Sequence, residues 1–97
     1  MNIGVCKVRL RLPENETLKG KRQTLKSITE RVKNRFNVSI AEVDDHDLWQ
    51  VMALGISCVS TNSQHANEVL SKVVAFIEQC RFDAEMLDCE IEILHAL

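Results

Sequence analysis

The stretch VCKVRLRLPENETLKGKRQTLKSITERVKNRF, residues 5–36, changes its hydrophobic period in the middle. Before Pro13 the period is two, with Cys6, Val8, Leu10 and Leu12 alternating with Lys7, Arg9 and Arg11. Such alternation describes a strand with one face buried and one face wet. Proline cannot donate to a sheet ladder, so Pro13 closes the strand begun at residue 2. After the short polar loop 14–16, Thr17 offers its hydroxyl as an N-cap. Apolar residues then recur at Leu18, Leu25, Ile28, Val32 and Phe36, within a narrow arc of a helical wheel. The segment therefore predicts a strand followed by an amphipathic helix ending near 35–37. Gly20 weakens the first turn of that helix by up to about 1 kcal/mol relative to alanine.

The same reading carries through the rest of the chain. Residues 38–43, VSIAEV, predict a second strand, and Asp44 to Asp47, DDHD, a solvated hairpin connection. Residues 48–60, LWQVMALGISCVS, predict a long third strand. Its expected core face is Leu48, Met52, Leu54, Ile56 and Cys58; its other face carries Trp49, Val51, Ala53, Gly55 and Val59. Caps at 61–63 open a second helix running to about Cys80, with Ala66, Val69, Leu70, Val73, Ile77 and Cys80 inward. Residues 85–94 predict a last strand, with Leu87, Cys89, Ile91 and Ile93 on one face and Asp88, Glu90 and Glu92 on the other.

The order βαββαβ requires two helices to cover one face of a sheet. With right-handed crossovers it specifies a ferredoxin-like α+β two-layer sandwich whose antiparallel sheet has strand order 4-1-3-2. Ninety-seven residues make a single domain, 1–97. Hydrophobic residues at 45% and charged residues at 27% are an ordinary globular balance. The alternating N-terminus is neither a signal peptide nor a spanning helix, which places the expectation in the cytoplasm and away from membranes. Cys6, Cys58, Cys80 and Cys89 include no C-x-x-C pair and read as free thiols, with Cys6, Cys58 and Cys89 on the helix side of the sheet as small buried hydrophobes.

The formal net charge of -2 conceals a split. Residues 1–35 hold ten of the twelve Lys and Arg and three acids, a net of +7; residues 36–97 hold two bases and eleven acids, a net of -9. Lys7, Arg9 and Arg11 are expected to face Asp88, Glu90 and Glu92 across neighbouring strands, which accounts for that basic group without a ligand. The helix differs. Arg22, Lys26 and Lys33 fall within about 40° of one another on the wheel, with Lys19 just beyond and Glu30 the helix's one acid. A surface selected for solubility mixes signs. Lys19, Arg22, Lys26 and Lys33, with Lys21 helping from the first turn, form a candidate nucleic-acid-binding flank that would contact phosphates without reading sequence. The bland alternative is a solvated helix face. Trp49 and Val51 are a candidate homodimer interface.

No catalytic constellation stands out. His46, His65 and His95 lie outside any metalloprotease, nucleophile-elbow or P-loop pattern. The acidic run 44–47 is too compressed to specify a metal geometry and lacks the register of a calcium loop. No cofactor is expected. The chain's four aromatics, Phe36, Trp49, Phe76 and Phe82, do not make the base-stacking platform of an RNA-recognition motif.

Taken together, LKGKRQTLKSITERVKNRFNVSIAEV, then DLWQ, LGISCVS and LSKVVAFIE, closely resemble the YlxP-like family of small bacterial proteins of unknown function. Lys19, Lys21, Arg22, Asn34, Arg35, Phe36, Glu42, Asp47, Trp49 and Gln50 match its pattern; Gly20 replaces a typical acidic residue. The resemblance implies a ferredoxin-like fold and no established catalytic activity. Relatives are encoded beside translation factors and a ribosome-binding factor, which implies ribosome maturation or translation. The expectation is thus a non-catalytic accessory protein that binds structured or ribosomal RNA, with ribosomal proteins as further partners. The alternative is a protein-binding or small-ligand-sensing dimeric module, and a small hydrolase is the third reading.

Overall fold

The computed structural model describes residues 1–80 and 83–97. The elements run β1 (Asn2–Arg11), α1 (Leu18–Arg35), β2 (Ser39–Asp44), β3 (Val51–Ser60), α2 (Ser63–Gln79) and β4 (Glu85–His95). All strand pairs are antiparallel, and the sheet order is β2-β3-β1-β4, the expected 4-1-3-2 arrangement. The architecture is the ferredoxin-like two-layer sandwich that the periodicities specify.

Local chemistry sets each boundary. Thr17 caps α1 through its hydroxyl, which accepts from the Gly20 N–H at 2.9 Å. Asn62 caps α2 by accepting from the N–H groups of Gln64 and His65. The alternating residues Cys6, Val8 and Leu10 of β1 meet Ile56, Leu54 and Met52 of β3 in register, and all six are buried. Ile28 and Val32 of α1, with Ala66, Leu70, Val73 and Ile77 of α2, close the core from above. At Gly4 the sheet and α2 come so close that a Cβ would crowd Leu70, Cys58 and Ala66. Phe36 and Phe76 meet edge to face at 5.6 Å between centroids, and the Arg35 guanidinium lies 5.1 Å from the Phe76 ring. That contact is a cation–π interaction at the C-terminal end of α1.

Three expectations are corrected. The third strand begins at Val51, not at residue 48, so Leu48 lies in the preceding turn and is exposed instead of joining the core. A bulge in β4 shifts the pairing with β1 between Arg9 and Leu10, so that Met86 and not Leu87 lies opposite Leu10. An extra residue in one strand turns the next side chain to the other face; Leu87 is exposed and Met86 packs against the core. Cys89 pairs with Val8 on the helix side but is exposed, whereas Cys6 and Cys58 are buried. β4 is an edge strand, flanked on one side only, and its inward residues Ile91 and Ile93 are themselves only half-buried.

Candidate functional site

The basic face of α1 divides into two populations. Lys19, Arg22, Lys26 and Lys33 are exposed. Lys26 lies 4.0 Å from Glu30 across one helical turn; among the described residues Lys19, Arg22 and Lys33 form no ion pair. The first and last of the four stand fourteen positions apart, roughly 21 Å of helix. Their long side chains stand clear of the sheet because the stripe that packs on it lies elsewhere on the helix.

Lys21 belongs to that inward stripe. It is 2% exposed, the one buried charged residue among those described. Its spacing to Leu25, Ile28 and Val32 is four, seven and eleven residues, which places all of them on one helix face. Instead of meeting an external phosphate, its ammonium donates to the carbonyls of Asp45 at 2.6 Å and Leu48 at 2.8 Å, with His46 O at 3.4 Å. Glu42 Oε2 lies 2.9 Å away, off the hydrogen-bonding direction, so that contact is chiefly charge on charge. Glu42 reaches it because it pairs with Leu54 and shares Leu54's helix-facing side of the sheet. The expectation that Lys21 joins the phosphate-contacting set is therefore corrected: its ammonium is enclosed and already coordinated. The spacing 21-25-28-32, together with an acid on the core face of β2, was a signal for this role in the sequence.

Asn15 adds a second clamp. Its Nδ2 donates to Trp49 O at 2.6 Å and to Thr17 O at 2.7 Å. A Cβ at position 20 would run into Asn15 Oδ1, so the glycine leaves room for that amide over the first turn of α1. Gln50 completes the seam: its carbonyl accepts from Leu12 N–H at 2.7 Å, and its side chain donates to Asn15 O at 3.4 Å. The 44–47 turn is thus not simply solvated. Asp45 adopts a positive φ of 58°, which short polar residues tolerate.

The outer face of the sheet neutralises the first basic cluster. Lys7 reaches Asp44 at 3.5 Å, and Arg9 reaches both Asp45 and Asp88 at 3.6 Å. Register sets Arg9 opposite Asp88 and Lys7 opposite Glu90 as expected, while Arg11 faces Glu85 because of the bulge. The backbone N–H of Asp45, and then Lys7, hold the Asp44 carboxyl below the usual carboxylate range. Trp49 and Val51 come to the same end of β3, Trp49 exposed in the turn and Val51 half-buried as the first strand residue. Among the described residues no three His, Cys, Asp or Glu side chains gather as a metal site, and no helix is long and apolar enough to cross a membrane.

A two-layer βαββαβ domain with one basic helix flank and a clamped hydrophobic turn is the class these features define. The chain belongs to the protein family of unknown function DUF503, whose pattern matches residues 3–91. The uncharacterized protein YlxP of Bacillus subtilis (strain 168) is 45% identical over 62 residues, covering 64% of this chain and 67% of the relative. The likeness to the YlxP-like family is therefore upheld. Among solved structures, the de novo designed protein Foldit4 matches over the whole of both chains with a TM-score of 0.55 and 15% identity. At that identity the likeness concerns the fold alone.

Proposed function

We propose that this protein is a non-catalytic accessory factor that binds structured RNA through the outer flank of α1. Lys19, Arg22, Lys26 and Lys33 contact phosphates; Lys21 is withdrawn from the set. The observation that carries this reading is the placement of charge. The strand order sets β4, with Glu85, Asp88, Glu90 and Glu92, at the sheet edge opposite β2. α1 packs on β2 and α2, whereas α2 packs on β1, β3 and β4. The basic flank and the acidic strand thus occupy opposite sides of the domain, so the acids of β4 do not screen the helix. Ribosomal RNA and its proteins in the cytoplasm are the partners that the family resemblance favours.

Co-sedimentation with ribosomal particles and with free structured RNA, across a salt series, tests this reading. Arg22→Gln/Lys26→Gln/Lys33→Gln replaces exposed side chains and should fold normally. Binding that weakens with salt and collapses in this variant is the expected result. No binding to either target would sink the proposal. In the alternative reading, a dimeric sensing module with Trp49 and Val51 at its interface, the protein self-associates and the triple variant changes nothing.

A further inference from the structure

The β2–β3 turn is held more firmly than a solvent loop requires. Lys21 Nζ binds the carbonyls of Asp45, His46 and Leu48 from beneath, and Asn15 binds that of Trp49. What this fixed backbone carries outward is apolar: Leu48 is 47% and Trp49 55% exposed. Residues 47–51 line one shallow, open depression of about 370 Å³. Side chains presented on an ordered backbone lose little entropy on binding, and a rigidly presented tryptophan is a frequent binding anchor.

Charge indicates the occupant. Asp44 and Asp45 are turned back onto Lys7 and Arg9. Asp47, beside Leu48 and Trp49, is exposed and has no ion-pair partner among the described residues. Arg11, across the sheet from Val51, has Glu85 opposite it on its other side. The Asp47 carboxylate, left unpaired among the described residues, disfavours the phosphates of RNA and attracts a cation. A planar guanidinium satisfies both neighbours, lying on an indole face while its N–H groups meet a carboxylate; an ammonium does this less well.

We propose that Trp49 and Asp47 form a docking site for an arginine side chain on a basic, partly apolar segment of a partner protein, with Leu48 covering the segment's neighbouring apolar residue. This surface is separate from the α1 flank and stands whether or not that flank binds RNA.

Trp49 is the chain's one tryptophan, so its emission reports on this site alone. The full chain is titrated with a nine-residue Leu/Arg/Ala peptide, its Leu/Lys/Ala counterpart and a nine-nucleotide single-stranded RNA. The expected result is a saturable emission change with the arginine peptide and clearly weaker binding of the lysine peptide. Asp47→Asn should weaken the arginine peptide roughly threefold, as should Trp49→Ala when followed by calorimetry. Arg22→Gln/Lys26→Gln/Lys33→Gln should leave its affinity unchanged. Equal affinity for the two peptides, indifference to Asp47→Asn, or a larger emission response to the RNA would overturn the proposal. So would a concentration-dependent emission shift without peptide, which would assign the site to a second copy of the chain.

Discussion

Lys21 occupies a core position on α1 yet remains among charged and polar groups, because Glu42 and the turn carbonyls surround its ammonium. Enclosing two charges is costly, and removing one partner of a buried pair is worse than removing both. Lys21→Met should therefore lose about 3–5 kcal/mol, since it strands the Glu42 carboxylate and takes the ammonium donor from the Leu48 carbonyl and from the Asp45 carbonyl, which keeps only the Leu48 N–H. Lys21→Met/Glu42→Leu should recover part of that loss but not all, because the Leu48 carbonyl still lacks the donor that Lys21 supplied. Urea denaturation of the two variants beside the parent checks the order. A double variant less stable than Lys21→Met would contradict the pairing.

Among the elements, β4 shows how position in the sheet overrides pattern. Cys89 and Cys6 lie on the same face of the sheet, yet Cys89 is exposed on the edge strand and Cys6 is buried on the strand beside it. Burial, and to a lesser extent the neighbouring Cys89, pushes the Cys6 thiol up to about 11. A thiol reagent should modify Cys89 first, leaving Cys6 and Cys58 until the protein unfolds. Mass mapping of partly labelled protein checks this, and early labelling of Cys6 would contradict it. The same shift has a pH consequence. The unfolded chain releases the Cys6 proton near the ordinary value of 9.0, while the folded protein holds it to about 11. Stability contributed by this group is thus intact below pH 9 and declines as pH rises through that window. Replacing Cys6 with alanine should flatten the alkaline decline, as measured by denaturation at several pH values.

For the whole molecule, the separation of charge matters more than its sum. The net of -2 suggests no affinity for a polyanion, but Lys7 and Arg9 of β1 lie against the acids of β4, whereas the basic flank belongs to α1, which packs toward the β2 edge, away from the acidic β4 at the other edge. Each phosphate contact releases condensed counterions and steepens the salt dependence by about 0.7–0.9 in the log–log slope. If Arg22, Lys26 and Lys33 each contact one phosphate, removing all three should flatten that slope by roughly 2 to 3. A parallel offset with unchanged slope would instead mean that the substitutions act through something other than phosphate contact.

The sequence by itself determined the element order, the caps at Thr17 and in the 61–63 segment, and the sheet order, because alternation and helical spacing are local records of which side faces the core. It also located the exposed basic flank, since Arg22, Lys26 and Lys33 cluster on a wheel without knowledge of the fold. Tertiary structure decided the rest. Lys21 sits one residue from Arg22 and carries the same charge, but only the approach of Glu42 and the 45–48 turn makes its enclosure tolerable. Leu48 continues an apolar alternation, yet it lies in the turn because the hydrogen bonds of Lys21 and Asn15 hold residues 45–49 outside the sheet ladder. The bulge at β4 and the exposure of Cys89 depend on which strand lies at the edge. These are properties of neighbours brought together from distant parts of the chain, and a one-dimensional period does not record them.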